Sequence, residues 1–126
     1  MNGYLLDTHL LLWWLDDPSL LSTEAQSAIR DPAHRAMVST AAVWEMGIKK
    51  ALGRLDIPSN LVEALDRDAI DVLDIGIDHA LSVSELPMLH QDPFDRMQIA
   101  QANIEGLVLI TRDRRIQQYD VRWLGG

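Results

Sequence analysis

Short apolar runs alternate with helical stretches from one end of this chain to the other, and few architectures can accommodate that alternation. Tyr4-Leu5-Leu6 reads as a short strand, and Thr8 to Leu15 continues as a helix that Asp16-Asp17-Pro18 stops. Thr23-Glu24-Ala25-Gln26 fits a capping box for a second helix ending near Asp31-Pro32. Met37-Val38-Ser39 is a second strand. Ala41 to Leu52 is then a helix, with Trp44, Ile48, Ala51 and Leu52 on one core-facing stripe and Gly53 as its terminator. Asn60 with Glu63 caps a helix through Asp68, and Ile70 to Ile75 gives a third strand. Asp78 is placed to cap a short helix before Pro87. Pro93 opens a helix reaching Ile104, at a position where its missing N–H does no harm. Leu107 to Ile110 is the most apolar strand, Arg114 to Tyr119 a short helix, and Val121 to Leu124 a last strand.

Strands separated by helices pair in parallel through right-handed crossovers, which predicts a three-layer α/β/α fold around a mostly parallel central sheet. A chain of 126 residues without repeat, low-complexity tract or linker is expected to form a single domain, 1–126. The absence of cysteine excludes disulfide frameworks and thiolate zinc sites, and is compatible with a reducing compartment. The apolar stretch from Tyr4 to Leu15 is interrupted by Asp7 and His9 and has no basic residue ahead of it, unlike a signal sequence. No run is long enough to span a membrane, so the expectation is a cytoplasmic protein.

In a sheet of this kind, ligands bind at the carboxyl ends of the strands, near the point where strand order reverses. Asp7 immediately follows the first strand and Asp113 follows Thr111-Arg112 at the end of the fourth. Glu45 sits in the second turn of the helix after the second strand. Asp95 lies in the first turn of the helix leading into the fourth, and at 100° per residue it shares an apolar face with Ile99 and Ala102. An inward carboxylate there needs a partner. Taken singly, Asp7 and Asp113 are also readable as N-caps, and Glu45 as half of an i,i+4 pair with Lys49. Asp92 is the natural cap before Pro93, and Arg96, about 100° from Asp95, is left as a surface or partner contact.

Taken together, four carboxylates on one sheet edge would repel one another and destabilise the fold, and a hard divalent cation resolves that repulsion. Oxygen ligands favour magnesium or manganese, whose chemistry with phosphate oxygens points to phosphodiester hydrolysis. Thr8 or Thr111 could hold a water of the ion, and either could equally cap a helix. His9 and His90 read as structural hydrogen-bond donors near this cluster.

At these residues the sequence resembles a known family. Leu5-Leu6-Asp7-Thr8-His9, Ser39-Thr40-Ala41-Ala42-Val43-Trp44-Glu45, Lys49, Gly53-Arg54-Leu55, Leu86-Pro87-Met88-Leu89-His90-Gln91-Asp92-Pro93-Phe94-Asp95-Arg96 and Thr111-Arg112-Asp113 are similar to the signature blocks of PIN-domain ribonucleases. Within that family the resemblance is to VapC-type toxins of bacterial toxin–antitoxin pairs, and it runs nearly end to end. It implies that Asp7, Glu45, Asp95 and Asp113 hold magnesium or manganese, with Asp92 outside the site. It also implies an endoribonuclease acting on cellular RNA, a homodimer, and a cognate antitoxin whose tail covers the active site.

The net charge of −8 is unfavourable for a general nucleic-acid binder. Setting the four proposed ligands aside leaves −4, and two divalent ions would offset the charge of those four. Lys49, Lys50 and Arg54 lie toward the end of one helix and Arg112, Arg114 and Arg115 flank Asp113, so basic contacts remain available beside the metal, or these are solvated surface charges. Weak non-specific RNA binding follows. Trp44 is expected in the core, whereas Trp13 and Trp14 diverge by about 100° and cannot be equally buried, so the first helix is expected to contribute to a dimer or antitoxin surface. Two rival classes are a catalytically silent PIN-like binding module and a phosphoacceptor signalling domain. The second is disfavoured because Asp74 is loosely placed and no Lys follows Lys50.

Overall fold

Neighbouring residues of a strand point to opposite faces, and Leu5 and Leu6 are both fully buried, so the sheet must be covered on both sides. The computed structural model, which describes residues 2–126, shows how. In chain order the elements are β1 (Gly3–Leu6), α1 (Thr8–Asp16), α2 (Thr23–Arg30), β2 (Arg35–Ser39), α3 (Thr40–Ala51), α4 (Leu61–Arg67), β3 (Ile70–Leu73), α5 (Ile77–Ser82), α6 (Pro93–Glu105), β4 (Val108–Thr111), α7 (Arg114–Gln117) and β5 (Trp123–Gly125). Every strand pairing is parallel, in the order β3-β2-β1-β4-β5.

The register shows how period-2 alternation builds two cores. Leu5 lies opposite Met37 and Leu109, and these pack with Ile99 and Ala102 of α6, Ile116 of α7 and Tyr119. Leu6 lies opposite Val38 and Ile110, and these pack with Leu10 and Leu11 of α1, Ala25 and Ile29 of α2, Ala42 and Met46 of α3 and Leu65 of α4. The chain winds outward from β1 to β3, then returns to place β4 on the other side of β1. The reversal therefore falls between β1 and β4, which is where Asp7 and Asp113 emerge.

Several elements differ in detail from what the sequence predicts. The second helix is capped one residue earlier, by Ser22, whose hydroxyl accepts from the Ala25 N–H. Gly76, not Asp78, occupies the cap of α5, and the Asp78 carboxylate accepts from the His79 N–H one residue further on. Gly53 does end α3, at φ +71°, and Gly106 ends α6 at φ +68°, a left-handed conformation that glycine adopts without a Cβ penalty.

The stripe expected to anchor α3 faces solvent instead. Trp44 is 62% exposed, and Ile48, Ala51 and Leu52 are exposed with it. The buried face is Ala41, Ala42, Glu45 and Met46. Small alanines let the helix lie close to the sheet, and the polar bonds of Glu45 make that carboxylate tolerable there. Trp14 is buried with its indole N–H on Asp68, while Trp13 is half-buried under the Arg112 guanidinium, so the two tryptophans do divide as expected. Among the described residues no helix is long and apolar enough to cross a membrane.

Candidate metal centre

The ends of β1 and β4, the second turn of α3 and the first turn of α6 meet at the carboxyl edge of the sheet. Asp7 is locked there by the sheet itself, since its N–H donates to the Ile110 carbonyl at 3.2 Å. One of its oxygens accepts from the Leu10 N–H at 2.8 Å, so Asp7 is the N-cap of α1 as well as a member of the cluster. Burial raises its pKa above the ordinary carboxylate value, and the charge of Asp113 adds to the rise. The Thr111 hydroxyl, the Leu10 N–H and His9 oppose it.

Glu45 is buried with both oxygens occupied. Thr8 Oγ1 donates to Oε1 at 2.7 Å, and Lys49 Nζ reaches Oε2 at 2.8 Å. The i,i+4 pair that the sequence suggested is therefore present, but on a carboxylate only 6% exposed rather than on a solvated face. Gln98 Nε2 in turn donates to Thr8 Oγ1 at 3.4 Å, which makes a support for Glu45 that starts on α6, one turn on from Asp95. Its Oε1 is buried without a partner among the described residues. The sequence showed no sign of this role, because a glutamine on an otherwise apolar helix face carries no signature of its own.

Asp95 faces inward from α6, and Asp92 accepts its N–H at 2.9 Å as the cap of that helix. Burial pushes the Asp95 carboxyl up to about 6; the His90 hydrogen bond lowers it, while the charges of Asp92 and Glu45 raise it further. His90 Nε2 lies 2.8 Å from Asp95 Oδ2, so the imidazole N–H donates to the carboxylate. Asp113 caps α7 and is held by Arg115 at 3.0 Å. Burial acts to raise Asp113, but the Arg115 side chain, backbone N–H and charge together bring it below the ordinary value.

His90, Asp95 and Asp113 offer ligand atoms that all lie within 4.8 Å of one another. Asp7 reaches this group electrostatically through Asp113, and Glu45 through Asp95. The four acids singled out from sequence thus share one edge of the sheet, with His90 drawn in more tightly than its distance along the chain suggested. Carboxylate oxygens suit a hard divalent cation, with the His90 N–H behind Asp95. The pKa of Asp95, raised first by burial and then by the charges of Asp92 and Glu45, marks a place where a cation would relieve repulsion. The residues present therefore fit a metal ion.

A second grouping, Asp78, His79 and Glu105, differs in kind. His79 Nδ1 accepts from the Gly76 N–H at 2.9 Å, and its Nε2 faces Glu105 at 3.1 Å. Nδ1 is used in capping α5 and the Nε2–H on Glu105 at the end of α6, so no lone pair is left for an ion.

Two arginines depart from expectation. Arg112 stacks on Trp13 and bonds to the carbonyls of Leu20 and Gly126, so it secures the chain end rather than facing the cluster. Arg96, expected at the surface, is 6% exposed. Its guanidinium donates to the carbonyls of Pro87 at 2.9 Å, Val83 at 3.0 Å and Leu86 at 3.4 Å and to the Tyr119 hydroxyl at 3.0 Å. A 100° turn from Asp95 points this side chain at the preceding loop, where its donors add to the turn bonds that the Val83 and Pro87 carbonyls already accept from the Leu86 and Leu89 N–H groups.

Comparison with known proteins agrees with this architecture. Residues 4–122 match the PIN domain. Ribonuclease VapC22 of Mycobacterium tuberculosis is 28% identical over 122 residues, spanning 94% of this chain and 93% of that one. A chain in the crystal structure of VapBC2 from Rickettsia felis, bound to a DNA fragment from their promoter, superposes with a TM-score of 0.72 at 14% identity, covering 96% of each chain. DNA-bound VapBC from Salmonella typhimurium superposes at 0.69 with 16% identity over 98% of each chain. With the domain match covering all but a few residues at either end, the chain belongs to the PIN-domain family.

Proposed function

We propose that this chain is a divalent-metal-dependent endoribonuclease that hydrolyses RNA phosphodiester bonds and serves as the toxin of a toxin–antitoxin pair. The observation that carries the proposal is the gathering of Asp7, Glu45, Asp95 and Asp113, with His90, at the strand-order reversal of a PIN fold. The similarity to a protein named as a ribonuclease and to chains of VapBC assemblies supports the choice of RNA and of an antitoxin partner.

In this reading Asp7, Glu45, Asp95 and Asp113 hold magnesium or manganese, and the His90 N–H steadies the Asp95 carboxylate. When bound, such an ion neutralises charge that develops on the phosphate and makes water a better nucleophile. The chain's own contribution is positional. Thr8 and Lys49 fix the two oxygens of Glu45, and Arg115 sets the Asp113 carboxylate. Lys49, Arg114 and Arg115 then stand beside the site as contacts for RNA phosphates, so that local charge offsets the acidic balance of the whole chain.

Expected partners are RNA, a cognate antitoxin and a second copy of this chain. The exposed stripe on α3 and the groove beside α1, lined by Leu12, Trp13, Leu15, Leu55 and Ile57, supply apolar area for protein contacts. Incubation of the purified protein with folded RNA tests the activity: cleavage is expected with Mg²⁺ or Mn²⁺ and not after chelation. Loss of cleavage in folded Asp7→Ala and Asp95→Asn variants supports the assignment, and undiminished cleavage in both contradicts it.

A further inference from the structure

The loop from Leu86 to Asp92 carries His90 to Asp95, yet it has no regular secondary structure of its own. Something must fix it, because an imidazole–carboxylate contact of 2.8 Å tolerates little displacement. The fixing groups are Arg96 and Tyr119. The Tyr119 hydroxyl accepts from the His90 N–H at 2.9 Å and donates to the His90 carbonyl at 3.2 Å, so it grips both backbone polar groups of a single residue. Arg96 Nη1 donates to that same hydroxyl at 3.0 Å and to the Pro87 carbonyl, while Nη2 ties down Val83 and Leu86. Tyr119 is itself buried in the core between α6 and β4, so the grip is referred to the rigid sheet.

We propose that Arg96 and Tyr119 form one positioning device, which presents the His90 imidazole to Asp95 and thereby orients that carboxylate toward the divalent ion. Asp95 and Arg96 are neighbours on α6 with opposite duties: one faces the ion, the other holds the loop that steadies the first. Carboxylate ligands are commonly oriented by a hydrogen bond from behind, and losing such a partner weakens metal binding about 10- to 100-fold. The proposal rests on the metal-site reading above, and it extends that site to residues that touch neither ion nor RNA.

Arg96→Met would remove the bonds to Val83, Leu86 and Pro87 together and can collapse the loop outright, so the decisive variant is Tyr119→Phe, which removes one hydroxyl and keeps the ring in the core. Mn²⁺ affinity is read from the electron paramagnetic resonance of free Mn²⁺, with thermal melting to verify folding. Tyr119→Phe is expected to weaken Mn²⁺ binding about 10-fold, and His90→Ala by at least as much. The double variant is expected to lose no more than His90→Ala alone, because both changes break the same chain of contacts. His90→Gln, which retains an N–H donor, is expected to recover part of the His90→Ala loss.

Parent-like Mn²⁺ affinity in a folded Tyr119→Phe would overturn the proposal, as would losses that add in the double variant. The assay contains no RNA. A parent protein that binds Mn²⁺ with this variant pattern but cleaves no RNA would break the nuclease reading and leave the positioning device standing, whereas a parent that binds no Mn²⁺ would overturn the device itself.

Discussion

The two edges of the sheet hold similar numbers of charged groups and handle them in opposite ways. At the amino ends of β2 and β3 an open cavity of about 640 Å³ is lined by Arg30, Arg35, Arg67, Asp68 and Asp71, among others. There the acids meet arginines near water: Arg35 pairs with Asp71 at 3.0 Å and Arg67 with Asp68 at 3.2 Å. At the carboxyl ends, acids are turned inward. Asp7 and Glu45 are almost fully buried, and Asp95 is pushed up to about 6 by burial and by its acidic neighbours. A large cavity is thus not what distinguishes a reactive site. Buried acid in excess of local cation is, because only an added ion or a bound proton can neutralise it.

The largest expected effect follows from removing one of those acids. Asp95→Asn should reduce metal-dependent RNA cleavage by more than the roughly 10- to 100-fold typical of an outer partner, as measured by single-turnover cleavage. The same change should leave the metal-free protein at least as stable as the parent, since it deletes a desolvated charge beside other acids while the amide oxygen can still accept from His90. A variant that lost stability along with activity would mean that Asp95 is a structural acid like those of the opposite edge.

The two tryptophans sharpen the contrast between buried and solvent-facing surface. Trp14→Ala should cost about 3–5 kcal/mol in denaturant unfolding, as expected for a large core aromatic. Trp44→Ala, at an exposed position beside Phe94, should cost under about 1 kcal/mol. Comparable losses at both would return Trp44 to the core, where its spacing along α3 had placed it.

A pH series probes the carboxyl edge alone. The folded protein holds the Asp95 proton up to about 6 against an ordinary value of 3.8. In metal-free protein this contribution to stability is therefore fully present below 3.8 and is lost as pH rises toward about 6. Metal binding needs the ionised form, so Mn²⁺ affinity should climb over the same range and level off above about 6. Melting with and without Mn²⁺ should then show a gap in Tm that widens with pH; a gap that shrank would assign the wrong sign to Asp95.

The smallest effect belongs to the amino edge. Arg35 and Asp71 form an exposed pair, worth under about 1 kcal/mol. Arg35→Ala should leave both stability and RNA cleavage nearly unchanged, and a marked loss of cleavage would extend the functional surface around the sheet.

Much of this contrast is legible in the sequence, for identifiable reasons. The order of strands and helices is written in short apolar runs broken by proline, aspartate and glycine, and chirality then dictates parallel crossovers. Asp7, Glu45, Asp95 and Asp113 stand out because each occupies a place relative to a strand end that the fold converts into proximity. What stayed hidden depends on contacts between distant segments. The orientation of α3 is not legible because its largest apolar residues face outward, while alanines and a hydrogen-bonded glutamate face the sheet. Arg96 looked like surface charge because its acceptors are backbone carbonyls, which no residue type announces. His90 lies five residues from Asp95, and only the loop held by Arg96 and Tyr119 brings its ring onto that carboxylate.

The most direct measurement is RNA cleavage by chelated protein to which Mg²⁺ or Mn²⁺ is returned, with the parent and folded Asp95→Asn compared side by side. The account predicts no cleavage after chelation, recovery in the parent on adding the ion, and no recovery in Asp95→Asn. Cleavage that persists after chelation, or that returns equally in both proteins, would contradict it.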